Sequence, residues 1–236
     1  MKKYFAAFLF VVAMPIYAED LVEPLWLAEV ALGYTNKTGN TDSSEINFDG
    51  DLTRAYGDWK HEATLEYDYE SNDEQTTDDD LYTTWQSNYY LDKANYAYGF
   101  GSFKDDRYSG IDEEFVLSAG YGRILLNDDI YYLEVEGGPG VRFTNPTDGD
   151  EETALIARLG EKFTWVLTEH SRFKQDFSVD TGGGNTSTRF SAAVETDINS
   201  SLALRLSYEV DYVYNVPAGK DKTDTKTIIA IVYKLH

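Results

Sequence analysis

Residues 202–214 alternate with a period of two. Leu202, Leu204, Leu206, Tyr208, Val210, Tyr212 and Tyr214 share one face, and Arg205, Ser207, Glu209 and Asp211 take the other. Side chains alternate across an extended chain, so such a segment is a strand with one apolar and one charged face. The pattern recurs at 59–70, where Trp59, Ala63, Leu65, Tyr67 and Tyr69 oppose Lys60, Glu62, Glu66, Asp68 and Glu70. It recurs at 188–198 and at 229–235, where Ile229, Ile231, Tyr233 and Leu235 share a face. Helical periodicity is nearly absent after residue 25, so the chain reads as all-β.

About twelve strands are predicted, near 28–36, 44–54, 59–70, 80–91, 95–104, 113–124, 130–137, 152–167, 171–181, 186–198, 202–214 and 224–235. Tight connections (Ala55–Asp58, Asp92–Ala94, Leu125–Asp129, Thr168–His170, Asn199–Ser201) alternate with longer polar ones such as Ser71–Asp79, Asp105–Asp112, Gly138–Glu151 and Asn215–Thr223. A closed meander gathers the two kinds at opposite ends. This predicts a transmembrane up-and-down antiparallel β-barrel with short periplasmic turns and longer external loops. The alternative, a soluble barrel with its apolar face inside, would have to fill one interior with the large side chains of twelve strands, whereas filled barrels usually have about eight. Aromatic residues also gather at both strand ends, Tyr56, Trp59, Tyr89, Tyr96, Tyr121 and Trp165 at one and Tyr34, Tyr67, Tyr69, Phe115 and Tyr212 at the other, as in the two girdles of a membrane barrel. His61, Glu161 and Gln175 are misfits on the lipid face, and a bulge near Gly160 is expected to turn Glu161 inward.

The N-terminus fits export. Lys2-Lys3, an apolar run from Tyr4 to Met14 and Ala18 read as a signal peptide over 1–18, too short to span a bilayer. A short segment at 19–27 and a single barrel domain at 28–236 complete the organisation, with the outer membrane of a Gram-negative cell as the destination. With 42 Asp and Glu against 20 Lys and Arg, the net charge of −22 lacks the basic footprint a nucleic-acid partner needs. The absence of cysteine excludes disulfides, thiol catalysis and Cys-ligated metals.

Several motifs, taken in order, resemble the YdiY-like family of salt-induced outer-membrane proteins: Gly33-Tyr34 with Thr38-Gly39-Asn40-Thr41, Asp106-Arg107-Tyr108-Ser109-Gly110 with Ala119-Gly120-Tyr121-Gly122, and Gly138-Pro139-Gly140-Val141-Arg142. The likeness runs from about residue 29 to the C-terminus. It implies an outer-membrane barrel and a link to salt stress, and it carries no activity or catalytic residues. The residues themselves read as architecture: turn chemistry at Thr38-Gly39-Asn40, inward glycines at 120 and 122, and a break in pairing at Gly137-Gly138-Pro139-Gly140 that starts a loop.

No catalytic residue, metal site or cofactor is expected. His61 lies on the apolar face, His170 in a tight turn and His236 at the end of the sequence, and none accompanies a nucleophile motif. Asp79-Asp80 and Asp105-Asp106 read as solvated loop charges. The candidate functional residues are the inward charges Glu62, Glu66, Glu134, Glu136, Arg158, Arg189, Arg205, Glu209 and Asp211, with Arg123, Lys162, Arg172 and Lys174 beside them. They either form a salt-bridge ladder that closes the barrel or line a water-filled, cation-preferring lumen. The leading reading is a stress-linked envelope barrel acting as a narrow cation-preferring channel. The alternative is a non-conducting structural or adhesive surface barrel, and an outer-membrane enzyme stands third. Expected partners are outer-membrane lipids, the barrel-assembly machinery during insertion, and divalent cations at the acidic loops. Single cysteines at Leu204, Tyr208 and Ile231 should react with a lipid-phase probe, and those at Arg205 and Glu209 should not. The reverse labelling pattern would turn the barrel inside out.

Overall fold

A computed structural model describes residues 25–37, 43–72, 75–106, 111–147, 149–216 and 221–235. The leader assigned to 1–18, the Thr38-Gly39-Asn40 turn, Asp73, Glu74, the Arg107–Gly110 motif, Asp148 and His236 lie outside these residues.

The described residues form twelve antiparallel strands: β1 (Leu25–Lys37), β2 (Ser43–Tyr56), β3 (Trp59–Asn72), β4 (Gln75–Tyr90), β5 (Asn95–Asp106), β6 (Ile111–Asn127), β7 (Tyr131–Pro146), β8 (Glu152–Thr168), β9 (Ser171–Gly182), β10 (Asn185–Asp197), β11 (Leu202–Val213) and β12 (Thr223–Leu235). Each pairs with its sequence neighbours, and β1 pairs with β12, closing the barrel. The closing seam is short, running from Ala28↔Leu235 to Gly33↔Ala230. Closure leaves no open sheet edge within the membrane, where an unpaired backbone group would cost several kcal/mol.

The apolar faces point outward. Leu204, Leu206, Tyr208, Ile229, Ile231 and Tyr233 are exposed on the outer surface, and Leu155 is 82% exposed. His61 is accommodated there, its Nδ1 lying 2.9 Å from Ser87 Oγ and its ring stacked 5.7 Å from that of Trp59. The bulge expected near Gly160 is absent, for pairing runs unbroken through Glu136↔Gly160, Val135↔Glu161 and Glu161↔Phe177. Glu161 stays on the outer face, and Gln175 Nε2 donates to its carboxylate at 2.9 Å, so the two misfits satisfy one another.

Strand ends differ most from expectation at the loop side. β4 begins at Gln75 rather than 80, and β7 runs to Pro146 instead of stopping at Gly137; at the tight-turn side β1 begins at Leu25 rather than 28. About ten tilted residues cross the apolar band of an outer membrane, so strands of 12 to 17 residues carry the ladder beyond it. Much of the polar stretches at 71–79 and 138–151, expected to be loops, is therefore strand, whereas the described part of 215–222 is not. The Gly-Pro-Gly segment survives inside β7 because its missing donor faces only one neighbour. Pairing with β6 lapses between Ser118↔Gly140 and Tyr121↔Gly137, while pairing with β8 is continuous through Pro139↔Ala157.

At the opposite end the turns are fixed by side chains. Asp92 accepts from the backbone N–H groups of Ala94 and Asn95 at 2.8 and 2.9 Å, and Asp128 from those of Ile130 and Tyr131 at 2.8 and 2.7 Å. Asn199 does the same for Ser201 and Leu202 at 2.9 and 3.0 Å. The Ala94 N–H holds the Asp92 carboxyl below the ordinary carboxylate range, and the Tyr131 N–H does so for Asp128. Both turns thus favour the folded state at neutral pH and lose that contribution as acid protonates them.

β5 inverts the prevailing pattern. Tyr96, expected in the outer girdle, is fully buried and points inward with Tyr98 and Phe100, where they pack with Val116 and Ile156. Ala97, Gly99 and Gly101 take the outer face. A Cβ on Gly122 would lie 2.1 Å from the Tyr96 ring, so the glycine makes the space the tyrosine fills. Gly122→Ala should destabilise the barrel by about 1–3 kcal/mol in urea unfolding through overpacking. Adding Tyr96→Leu should restore part of that loss.

Candidate functional site

The inner surface is the chemically distinctive part of the molecule. Tyr96, Tyr98, Phe100, Val116 and Ile156 fill its β5–β8 side. Tyr96 Oη and Gln86 Nε2 both donate to Glu136, at 3.1 and 2.8 Å, and the Arg158 guanidinium lies 3.7 Å from the Phe100 ring centroid while Nη1 reaches Asp180 at 2.8 Å. The remaining interior is a cavity of about 530 Å³. Glu62, Glu66, Glu134, Glu136, Arg158, Arg189, Arg205, Glu209 and Asp211 all line it. Lys162 and Lys174 join them. Arg123 does not, because β6 places its even-numbered residues inward and leaves Arg123 exposed outside.

The charges are unevenly distributed. β1–β3 present Glu29, Asp49, Asp51, Glu62 and Glu66 to the cavity, together with Lys60. β8–β10 face them with Arg158, Lys162, Lys174 and Arg189, together with Asp176. Several ion pairs consequently cross the lumen. Arg189 on β10 reaches Glu66 on β3 at 2.7 Å, and Lys162 on β8 reaches Glu62 on β3 at 3.3 Å. Lys174 on β9 and Arg205 on β11 meet Glu29 on β1 at 3.5 and 3.1 Å. The Arg189 and Lys162 pairs bridge opposite walls, a third arrangement beside the cross-strand ladder and the open pore, whereas Arg205 reaches Glu29 over the single strand β12.

Near the tight-turn end, Glu195 organises a fixed hub. Its side chain has 0% exposure and faces Lys234 at 2.7 Å, Arg205 at 3.1 Å, Lys174 at 3.6 Å and Arg172 at 3.7 Å. Asp197 adds pairs to Lys234 and Arg172. Toward the loop end, Lys104 pairs with Asp80 at 3.5 Å and Asp106 at 3.0 Å. These two aspartates, read from sequence as loop charges, instead sit on strands and face inward. The physical reason is the extension of β4 and β5 beyond the apolar band. Arg142, buried, donates to the Gly182 carbonyl at 2.9 Å and to Ser187 Oγ at 3.2 Å, with Glu114 farther off at 4.0 Å. Among the described residues, no cluster of three or more His, Cys, Asp or Glu side chains is placed to hold a metal ion.

A closed twelve-stranded barrel with an apolar exterior and a charged interior has the fold of outer-membrane porins and channels. A NanC porin structure superposes with a TM-score of 0.55 at 10% identity, over 88% of this chain and 100% of that one. The COG4313 outer membrane channel from Pseudomonas putida F1 superposes with a TM-score of 0.52 at 11% identity, over 94% of this chain and 100% of that one. The particular family is one without an assigned activity: the model described as "Protein of unknown function, DUF481" matches residues 30–235, and the chain belongs to that family. It is 31% identical over 209 residues to the "Uncharacterized protein YdiY" of Escherichia coli (strain K12), covering 86% of this chain and 81% of that protein.

Removing the Glu195 carboxylate would strand the enclosed cations of Lys234 and Arg205. Glu195→Ala should cost about 3–5 kcal/mol, read by tryptophan fluorescence during urea unfolding, with Glu195→Gln losing less because it keeps the shape and two hydrogen-bonding ends.

Proposed function

We propose that the protein is an outer-membrane channel of high resistance that favours small cations. The observation that carries this reading is the composition of the cavity: an acidic wall on β1–β3, with Asp51 on that wall and Glu209 on β11 lining the space without an ion pair or hydrogen bond among the described residues. Carboxylates outside any direct ion pair, in excess over the cations of a confined passage, raise the local cation concentration and repel anions. The aromatic fill on the β5–β8 side and the bridges across the lumen keep the passage far narrower than that of larger porins. Residues 1–18 support export as a cleaved leader, outer-membrane lipids would cover the apolar exterior, and the barrel-assembly machinery would act during insertion. The acidic strand ends that project past the membrane offer loose divalent-cation binding, and the link to salt stress rests on the family resemblance.

A second reading, a non-conducting structural barrel, is favoured by the cross-lumen bridges themselves. Planar-bilayer recording of purified protein separates the two. The channel reading expects small steps whose reversal potential in a salt gradient has the sign of cation preference. That preference should weaken between about 0.1 and 1 M salt, as the Debye length falls from about 10 to 3 Å. Absence of current, or anion preference, would reject it.

A further inference from the structure

We propose that Arg189 is the latch of the lumen, a tethered cation occupying the place through which a solute cation would pass. The inference rests on the channel reading above and names the residue that regulates it. Arg189 leaves β10 and crosses to the far wall. Nη2 meets Glu66 Oε2 at 2.7 Å, Nε meets Asp211 Oδ1 at 3.1 Å, and the guanidinium carbon lies 3.9 Å from the Tyr82 ring centroid on β4. Two carboxylates and an aromatic face form a cage suited to a guanidinium or ammonium group.

The position of this cage in the lumen is what makes it a latch. Glu66, Tyr82, Arg189, Glu209 and Asp211 line the 530 Å³ cavity, and the same residues line a second pocket of about 10 Å³ that also touches Asp68, Asp80, Asp224 and Lys226 toward the loop end. That smaller space holds about one water molecule. Arg189 therefore stands in the partition between the inner cavity and the outer mouth.

Exposure separates the cross-lumen cations Arg189, Lys162 and Lys174 from the enclosed Glu195, and its place in the partition separates Arg189 from the other two. The side chains of Arg189, Glu66 and Asp211 are each about one-third exposed, whereas Glu195 in the hub is fully enclosed. Water can take over the hydrogen bonds of Arg189 as it swings aside, and half-solvated ion pairs contribute little net stability. The Glu195 carboxylate has no such exchange partner and stays in place. A cation entering from the mouth meets carboxylates already held by Arg189 and competes for them.

Recordings of the full-length barrel with Arg189→Ala test this, with heat-modifiable gel mobility confirming that the variant is folded. The latch predicts a several-fold larger conductance and stronger cation preference, because Glu66 and Asp211 lose their ion-pair partner. Guanidinium ion should then block the Arg189→Ala channel at millimolar concentration while leaving the parent channel unaffected, and Tyr82→Leu in the same background should weaken the block. A second variant, Glu66→Gln with Asp211→Asn, keeps the arginine and frees it. Its conductance should rise while its cation preference falls. A conducting parent with unchanged Arg189→Ala would overturn the latch and leave the channel reading standing. A silent parent with a conducting Arg189→Ala would uphold the latch and reject a conducting resting state. Silence in both would reject both, and a guanidinium effect equal in parent and variant would overturn the cage.

Discussion

Backbone hydrogen bonding in a medium without water is the constraint on which the rest of this structure depends. Each strand must pair on both sides where it crosses the apolar band, and the closing pairs between β1 and β12 remove the only two edges a meander leaves. Once the ring is closed, every strand presents one face to lipid and the other to a shared interior. The alternation of Leu204, Leu206 and Tyr208 with Arg205, Ser207 and Glu209 then has a single consequence, repeated around the circumference. Where the ladder weakens, a neighbour compensates: Pro139 interrupts pairing toward β6, and β8 holds the strand in place.

The interior follows from the same closure. Charged faces that would be solvated on an open sheet are turned toward one another across a small space. Opposite signs on opposing walls meet, so Arg189 reaches Glu66 and Lys162 reaches Glu62 from strands far apart in the ring. Desolvation decides which of these contacts are fixed. Glu195, enclosed by four cations, belongs to the fixed framework, whereas Arg189 is held in the cavity by groups that still touch water. The aromatic wedge of Tyr96, Tyr98 and Phe100 narrows the other side, leaving an eccentric cavity rather than a central pore.

How far this could be read from the amino acids varies by element. The twelve strands, the outward apolar face and the inward position of Glu66, Arg189 and Glu209 follow from a period of two, which the barrel preserves. Tyr96 was misplaced because an aromatic residue near a strand end looks the same whether it faces lipid or lumen. The signal that could have found it is the run Tyr96-Ala97-Tyr98-Gly99-Phe100-Gly101, in which large residues alternate with small ones and the large set shares the parity of the inward Ser102 and Lys104. Glycines near 137–140 suggested a loop because local chemistry favours one, but the close approach of β6 and β7 at Gly120 and Gly138 requires residues without side chains. Asp80 looked like a solvated charge because its partner, Lys104, meets it only once β4 and β5 are paired in register, and Asp106 because the sequence pattern ends β5 at 104, short of the face it shares with Lys104.

Periodicity, the excess of carboxylates and the lack of cysteine by themselves determined a closed all-β membrane barrel with an acidic interior, because each is a property of residues taken one strand at a time. Which charges meet was decided only by the tertiary structure. Shear and closure set the heights at which opposite walls face each other, and contacts such as that between residues 66 and 189 join strands with no local signal in common. The enclosed hub, the aromatic wedge and the arginine that crosses the lumen are therefore consequences of the ring, and they appear only when the last strand pairs with the first.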